Sequence, residues 1–252
     1  MTRGLGLALV LLAAGAGAAL AADPQGPVRS GLDFATPGIR AMQQDDTANP
    51  GMLWVALGQA MWKEQQGRAG KSCASCHGEA ASLAMAAFPR RDRDGMELLS
   101  LEGQIDRCRD ERMGAATLGY ESEGMLALTS AIRNAMRGRS APVIEDRAAI
   151  AAGERYWRQK QGRLDLSCAD CHDKFQGKQL RDETISQGQS NGFPAYRVRW
   201  RQVGSLHRRF QVCNQAVGAE TSALGSQDYI ALEWFLAWRG RTLAVETPAV
   251  RQ

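Results

Sequence analysis

Apolar side chains recur at three- and four-residue intervals in four stretches of this chain, and that spacing predicts amphipathic helices. The first two stretches, 53–65 and 148–161, each continue into a glycine-containing loop. Their apolar faces consist of Leu53, Leu57, Met61 and Trp62 in one stretch and of Ile150, Tyr156 and Trp157 in the other. We interpret the Trp and Leu side chains among them as core packing.

The other two predicted helices, 126–136 and 229–238, are each followed by the sequence Arg-Gly-Arg. Glycine is a common helix terminator, so this ending supports both predictions. A loop signal, SAP at 140–142, follows the first of them. The pattern therefore predicts an all-α fold with a boundary between two units near residue 141.

The first residues have the layout of a secretory signal peptide. A short basic start, 1–3, precedes an apolar run, 4–20, and small residues at 19–21 form a cleavage site. A membrane anchor is the alternative, but the run is short and rich in Ala and Gly. We predict removal of 1–21, export to the periplasm without a membrane anchor, and an irregular arm at 22–50, where Pro, Gly and Asp interrupt any periodicity.

Composition excludes one class of function. The net charge of +4 is too small to indicate nucleic-acid binding, and no basic run is interleaved with aromatic residues. The 252-residue chain has room for one large domain or two small ones after the signal. Its six cysteines need an explanation, because an oxidising compartment permits disulfides.

Four of the six cysteines lie in two C-x-x-C-H sequences, CASCH at 73–77 and CADCH at 168–172. This sequence is the attachment signature of c-type haem. Two thiols at this spacing reach the two vinyl groups of one haem, and the histidine that follows lies beneath the iron. The predicted attachments are Cys73 and Cys76 for haem 1 and Cys168 and Cys171 for haem 2, with His77 and His172 as the respective iron ligands.

A zinc site and a redox dithiol are alternative interpretations of paired cysteines. A zinc site would bring both pairs onto one ion, and neither alternative explains a histidine after each pair. The chain has three histidines, and two of them follow the motifs. Two covalently attached haem c groups are therefore favoured.

The two halves of the chain repeat each other. A shift that carries Cys73 onto Cys168 also superposes Gly58, Trp62, Gln66, Gly67, Arg68 and Ser72 on Gly153, Trp157, Gln161, Gly162, Arg163 and Ser167. We infer an internal duplication in which each unit is one haem module. The predicted units are two tandem cytochrome c-like domains, 51–141 and 142–252, with haem 2 in the second.

Cys108 and Cys213 occupy equivalent positions, since each follows a Ser-Leu pair by the same interval. A disulfide between them is one interpretation, but each would lie near its own haem rather than near the other. We favour axial ligation, Cys108 to the iron of haem 1 and Cys213 to that of haem 2, because thiolates bind ferric haem well. The competing ligands are Met113, Met125 and Met136, which we expect in the core, and His207, which we expect at the surface or behind the ligand.

Two arginines, Arg208 and Arg209, precede Cys213. In a helix, Arg209 and Cys213 share one face. A guanidinium there would lower the pKa of the thiol and offer paired donors to a sulfonate. We assign Arg209 to substrate binding, whereas Arg208 is equally compatible with substrate binding and with pairing to a haem propionate or exposure to solvent.

Paired haem motifs, each with a later cysteine, together with GFPAYR at 192–197 and SLHRRFQVCN at 205–214, resemble the SoxA family. Its members are dihaem cytochrome subunits of the bacterial thiosulfate-oxidising Sox system. The resemblance implies a heterodimer with a SoxX-type monohaem cytochrome. It also implies an L-cysteine S-thiosulfotransferase activity, the oxidative conjugation of thiosulfate to a cysteine of a SoxYZ-type carrier protein.

The same resemblance implies roles for individual residues. The reactive cysteine, which is also a ligand of the second haem, falls on Cys213, and the substrate-binding arginine falls on Arg209. The cysteine ligand of the other haem falls on Cys108. A further family arginine corresponds to Arg181 in one alignment of the region.

Two other functions stay open at this point. One is a thiosulfate dehydrogenase, which joins two thiosulfates into tetrathionate, and the other is a plain periplasmic electron-transfer cytochrome. A cysteine in both units fits the SoxA family better than the dehydrogenase. The role of haem 1 is also open, because a cysteine ligand lowers the reduction potential and favours a structural or vestigial group.

Overall fold

The computed structural model describes residues 26–80 and 87–252. The predicted signal peptide, 1–21, lies outside the described residues. Within those two ranges, no helix is both long enough and apolar enough to cross a membrane.

The segment predicted to be an irregular arm is partly helical where it is described. A 3-10 turn at Gly31–Phe34 precedes helix α1, Pro37–Gln44. The Thr36 hydroxyl accepts the Ile39 N–H and caps α1, and a proline suits the first helical position because its missing N–H would have no partner there. The pattern missed α1 because eight residues hold too few apolar repeats.

The four helices predicted from apolar periodicity are confirmed, with ends that differ by a few residues. The described helices after α1 are α2 Met52–Lys63, α3 Cys73–His77, α4 Leu101–Cys108, α5 Glu123–Asn134, α6 Arg147–Arg158, α7 Leu206–Ala216 and α8 Gln227–Arg239. The four predicted ones are α2, α5, α6 and α8. A turn of π-helix at Arg109–Met113 follows α4. A second one, Asp170–Lys174, contains the Cys-His end of the second haem motif.

Helices α2 and α5 pack against each other, and α6 packs against α8 in the same way. A glycine lies at each crossing. A Cβ on Gly58 would stand 2.0 Å from the carbonyl oxygen of Ala127, and one on Gly153 would stand 2.0 Å from that of Ala231. Both helix pairs therefore require glycine for their close approach.

Each helix pair has its own apolar core around a tryptophan. Trp62 and Trp157 are each 3% exposed, as predicted. The neighbours are Phe88, Leu101, Leu128 and Ile132 around the first, and Ala169, Phe210, Tyr229, Leu232, Phe235 and Leu236 around the second. Burial of each large apolar side chain contributes about 1.5–3 kcal/mol, so these clusters hold the helix pairs together.

The interpretation of Leu53 and Leu57 as core residues is wrong. Leu53 is 71% exposed and Leu57 is 38% exposed. Helix α2 instead buries Val55, Gly58 and Trp62, which share one face at intervals of three and four. The apolar residues around α2 leave its packed face ambiguous in the sequence, and the contact with α5 decides it.

The all-α prediction is wrong in part, because short strands join the helices in the described residues. They are β1 Arg90–Arg91 paired with β2 Leu98–Leu99, β3 Gln179–Leu180 paired with β4 Glu183–Thr184, and β5 Ala195–Arg197 between antiparallel β6 Gln202–Gly204 and parallel β7 Ala249–Arg251. The strands are two or three residues long, too short for an alternating pattern to be visible.

Two hairpins place the helices that carry the unassigned cysteines. Hairpin β1–β2 leads directly into α4, where Ser100 caps the helix, and hairpin β5–β6 leads into α7, where Ser205 caps it. Each serine hydroxyl accepts the N–H of the third residue after it. Cys108 and Cys213 therefore project from the later turns of two similarly placed helices.

Candidate functional site

Cys213 lies in the last turns of α7 and is half-buried. Its sulfur is in side-chain hydrogen-bond contact with His172. The thiols of Cys168 and Cys171 lie close enough to Cys213 for its charge to affect their pKa values. The structure thus brings the second C-x-x-C-H motif and Cys213 together, although they are far apart in the sequence.

The ring of His172 is held in one orientation. Its Nδ1 donates a hydrogen bond to the Ser186 carbonyl at 2.7 Å, and the ring stacks on Trp157 with centroids 5.5 Å apart. A Cβ on Gly188 would stand 2.9 Å from Cγ of His172, so that position fits only glycine. With Nδ1 protonated, Nε2 is the ring atom that can bind iron.

Two opposing influences act on the pKa of Cys213. Burial raises it, but the nearby Arg209 guanidinium, the hydrogen bond and charge of His172, and Arg197 lower it to about 7. By contrast, burial raises the pKa of Cys168 to about 12. Cys213 is therefore readily available as a thiolate, the form of cysteine that binds metal and attacks as a nucleophile.

The two arginines before Cys213 have different partners. An Nη of Arg209 lies 3.5 Å from a carboxylate oxygen of Glu183. Arg208 points elsewhere: it pairs with Glu121 at 3.4 Å and lies over the Trp200 ring at 4.2 Å. Of the two arginines, only Arg209 lies close enough to Cys213 to be among the main influences on its pKa.

Two residues near Cys213 were not identified from the sequence. Arg197, on β5, donates a close hydrogen bond to Glu183, on β4, and Glu183 also faces Arg209. The sequence signal for Arg197 was its place in GFPAYR, but nothing local indicated that β4 and β5 meet α7. Arg181 lies at the turn between β3 and β4, is exposed, and has a left-handed backbone with φ of 59°.

The first motif has a parallel arrangement around Cys108. The thiols of Cys76 and Cys108 both influence the pKa of Cys73, which burial raises. The Gln104 amide donates a hydrogen bond to the Cys108 sulfur at 3.0 Å, and Arg90 in turn donates to the Gln104 side-chain oxygen at 2.6 Å. A cavity of about 620 Å³ adjoins Cys108. His77 lies beside Trp62, with ring centroids 6.1 Å apart.

The competing axial ligands have other places in the structure. Met113, Met125 and Met136 are all buried in the core, as predicted. His207 is buried, which excludes the surface position, one of its two expected places: Nδ1 accepts the Gly225 N–H at 3.0 Å, and Nε2 lies 3.2 Å from Glu233. Cys108 and Cys213 are not joined by a disulfide.

The residues around Cys213 fit a covalently attached haem. They supply two thiols at the attachment spacing, a histidine whose Nδ1 is already engaged, and a facing sulfur. The apolar cluster around Trp157 includes Phe210 and is in contact with Cys168. It provides the apolar surroundings that a haem macrocycle needs.

Comparisons with known proteins agree with this geometry. A family model described as SoxA/TsdA, cytochrome c domain, matches residues 57–141. The chain is 41% identical over 248 residues to the L-cysteine S-thiosulfotransferase subunit SoxA of Pseudaminobacter salicylatoxidans, covering 92% of this chain and 85% of that protein. It is 35% identical over 236 residues to the subunit of the same name from Rhodovulum sulfidophilum, covering 91% and 82%.

A solved structure gives the same answer for the fold. The crystal structure of SoxXA from P. pantotrophus superposes with a TM-score of 0.85 at 36% identity, covering 89% of this chain and 87% of that chain. The family model and this likeness together establish a cytochrome c domain, whose cofactor is covalently bound haem c.

Proposed function

The chain belongs to the SoxA family, and from that membership we propose that it joins thiosulfate oxidatively to a cysteine of a carrier protein. The relatives named above are subunits of L-cysteine S-thiosulfotransferase. The observation that carries the proposal is the position of Cys213 between His172 and Arg209, with a pKa of about 7. That position combines a nucleophilic sulfur, an iron ligand and a cation for an anionic substrate.

The haem assignment proposed here has two groups. Haem 1 is attached to Cys73 and Cys76, with His77 and Cys108 as iron ligands, and haem 2 is attached to Cys168 and Cys171, with His172 and Cys213 as iron ligands. The approach of Cys108 to Cys73 and of Cys213 to His172 supports this set. Bound haem c supplies a one-electron acceptor beside the sulfur of Cys213.

The chain's own residues account for the sulfur chemistry. Arg209 binds the sulfonate of thiosulfate and leaves the terminal sulfur facing the Cys213 thiolate. A sulfur–sulfur bond forms between them as the pair loses two electrons, for which the haem c of the second unit and that of the partner cytochrome would be the two one-electron acceptors. The thiolate of the carrier then attacks the outer sulfur of the new bond, and the Cys213 thiolate leaves by ordinary disulfide exchange.

We propose the domain organisation of the sequence analysis: a signal peptide at 1–21, an arm at 22–50, and tandem domains at 51–141 and 142–252. Matching hairpins, serine caps and helix-crossing glycines support a duplication. The signal supports a periplasmic location. A SoxX-type monohaem cytochrome is the proposed partner, as in the solved SoxXA structure, and a SoxYZ-type protein is the proposed carrier.

Mass spectrometry tests the role of Cys213. The intact periplasmic protein is weighed before and after a mild thiol reductant, with Cys213→Ala and Cys108→Ala as a matched pair of variants. We expect two haem additions and a labile sulfur addition that is lost in Cys213→Ala and retained in Cys108→Ala. Two haems with no labile sulfur, before or after incubation with thiosulfate, would leave an electron-transfer cytochrome.

A second assay separates the proposed function from tetrathionate formation. The protein, with its partner cytochrome, is incubated with thiosulfate in the presence and absence of the carrier. We expect a thiosulfonate adduct on the carrier cysteine and no tetrathionate when the carrier is omitted. Tetrathionate formed without the carrier would favour a thiosulfate dehydrogenase.

A further inference from the structure

Arg197 is a buried cation with an unused donor. It lies on β5, its side chain is 6% exposed, and its Nε has no hydrogen-bond partner in the described part of the chain. A buried guanidinium normally satisfies its donors, because each unpaired one costs free energy. The unused Nε–H therefore points to a ligand.

The surroundings of Arg197 indicate an anion. The charge of Arg209 lowers the pKa of Arg197, and the charge of Arg197 lowers the pKa of Cys213. The three side chains therefore lie close together. Glu183 accepts a hydrogen bond from Arg197 and lies 3.5 Å from Arg209. One carboxylate thus holds two guanidinium groups beside the sulfur, and the two arginines together with Glu183 carry a net positive charge.

The first unit of the chain provides an internal comparison. Its hairpin has the same register: Arg90 pairs with Leu99 just as Ala195 pairs with Gly204. Each hairpin starts after a Phe-Pro pair and ends at the serine that caps the next helix. The residue positions around the two cysteines can therefore be matched one to one.

At the matched positions, the first unit lacks both cations. Asp92 stands where the second unit has Arg197. The Asp92 N–H donates to the Glu97 carbonyl in the extension of the β1–β2 ladder, just as Arg197 pairs with Gln202 in the β5–β6 ladder. Gln104, four residues before Cys108, stands where the second unit has Arg209. The two units differ in charge at the positions nearest the reactive cysteine.

We propose that Arg197 is a second substrate-binding residue, which holds the sulfonate of thiosulfate together with Arg209 while Glu183 fixes both guanidinium groups. This inference rests on the proposed function and names a further residue of its site. A sulfonate has three oxygens that accept hydrogen bonds, more than one guanidinium can satisfy. Two guanidinium groups oriented by one carboxylate direct the terminal sulfur of the substrate towards Cys213.

Equilibrium binding of radiolabelled thiosulfate tests the proposal. The reduced holoprotein is used, because thiosulfate then binds without being oxidised. We expect Arg197→Gln and Arg197→Lys each to raise the Kd for thiosulfate by at least about tenfold, since both remove the fork of donors at Nε and Nη. An unchanged Kd in Arg197→Gln, with an unchanged visible spectrum, would overturn the inference.

Arg199→Gln is the matched control for charge. Arg199 lies on the same segment, is 42% exposed, and pairs with Asp182 and more distantly with Glu183. We expect its loss to change the Kd by less than about twofold, because solvent screens an exposed cation. An equal rise in the Kd for thiosulfate in Arg197→Gln and Arg199→Gln would mean that only the net charge matters, and would contradict direct binding by Arg197.

Glu183→Gln separates binding from scaffolding. Glutamine keeps an acceptor for Arg197 but removes the carboxylate, so we expect thiosulfate to bind at least as tightly as in the wild type. A Kd raised as much as in Arg197→Gln would mean that Arg197 acts only by packing against Glu183. If arginine-dependent binding is found but no carrier adduct forms, the proposed function fails and this inference stands.

Discussion

Arg209 lies one helical turn before Cys213 on α7, with its guanidinium close enough to offset the burial of the thiol. Burial raises the pKa of Cys213, and Arg209 is the largest of the influences that lower it, to about 7. The same guanidinium faces Glu183, which also holds Arg197. Activation of the sulfur and the proposed binding of an anion therefore depend on one side chain.

Replacement of Arg209 by glutamine tests this double dependence. We expect kcat/KM for thiosulfate to fall about 100-fold, a typical loss for one oriented donor at a reacting anion. Arg208→Gln is the control, because Arg208 pairs with Glu121 and stacks on Trp200, and we expect a change below about threefold. Similar losses in both variants would contradict the assignment of Arg209.

Gly188 lies where any side chain would displace His172. Its φ is +72°, and a Cβ would stand 2.8 Å from Trp157 and 2.9 Å from His172. We expect Gly188→Ala to alter the visible spectrum of the ferric protein and to lower the urea midpoint of unfolding.

Gly177→Ala controls for backbone strain in that experiment. Gly177 has a φ of +80°, but a Cβ there has no atom within 4 Å. We expect this variant to lose about 1–2 kcal/mol of stability from the left-handed backbone and to keep a wild-type spectrum. A normal spectrum in Gly188→Ala as well would mean that the contact with His172 is not required.

Gln104 donates a hydrogen bond to the sulfur of Cys108, the proposed iron ligand of haem 1. A hydrogen bond to a ligating sulfur weakens its electron donation, so we expect Gln104→Leu to lower the reduction potential of haem 1. The conjugation rate should stay within about twofold of the wild type. Spectroelectrochemistry of the variant checks the first expectation, and a large fall in rate would give haem 1 a part in catalysis.

Asp146 couples the stability of the protein to pH. A hydrogen bond from Arg91, and further bonds at the start of α6, lower its pKa below the ordinary value of 3.8. A carboxyl with a depressed pKa stabilises the fold above its unfolded pKa, and this contribution is lost as pH falls through the folded pKa. The stabilisation is therefore complete at neutral pH, begins to fall near pH 4, and is lost as the pH drops through the lowered pKa of the folded state.

Asp146→Asn should lower the free energy of unfolding by about 1 kcal/mol at pH 7, with the difference from wild type shrinking below pH 4. Urea unfolding at both pH values measures it. Asp165→Asn is the control, since Asp165 is an exposed surface partner of Lys160 and should have little effect at either pH. A constant difference across pH would show that the charge of Asp146 contributes nothing.

The sequence by itself determined the features that depend on short spacings. Haem attachment needs two thiols and a histidine within five residues. Apolar residues at intervals of three and four predict helices. The haem-attachment motifs, the four long helices and the buried tryptophans could therefore be predicted, and the resemblance of GFPAYR and SLHRRFQVCN to known members indicated the family. The equivalence of Cys108 and Cys213 came from the repeat in the same way.

Only the tertiary structure decided which residues meet around those features. Glu183, Arg197 and Arg209 lie on β4, β5 and α7, and no local pattern states that these elements converge on Cys213. The burial of His207 and the exposure of Leu53 likewise depend on which face of a helix finds a partner. Contacts between distant segments are set by packing of the whole chain, because each segment alone is compatible with several neighbours.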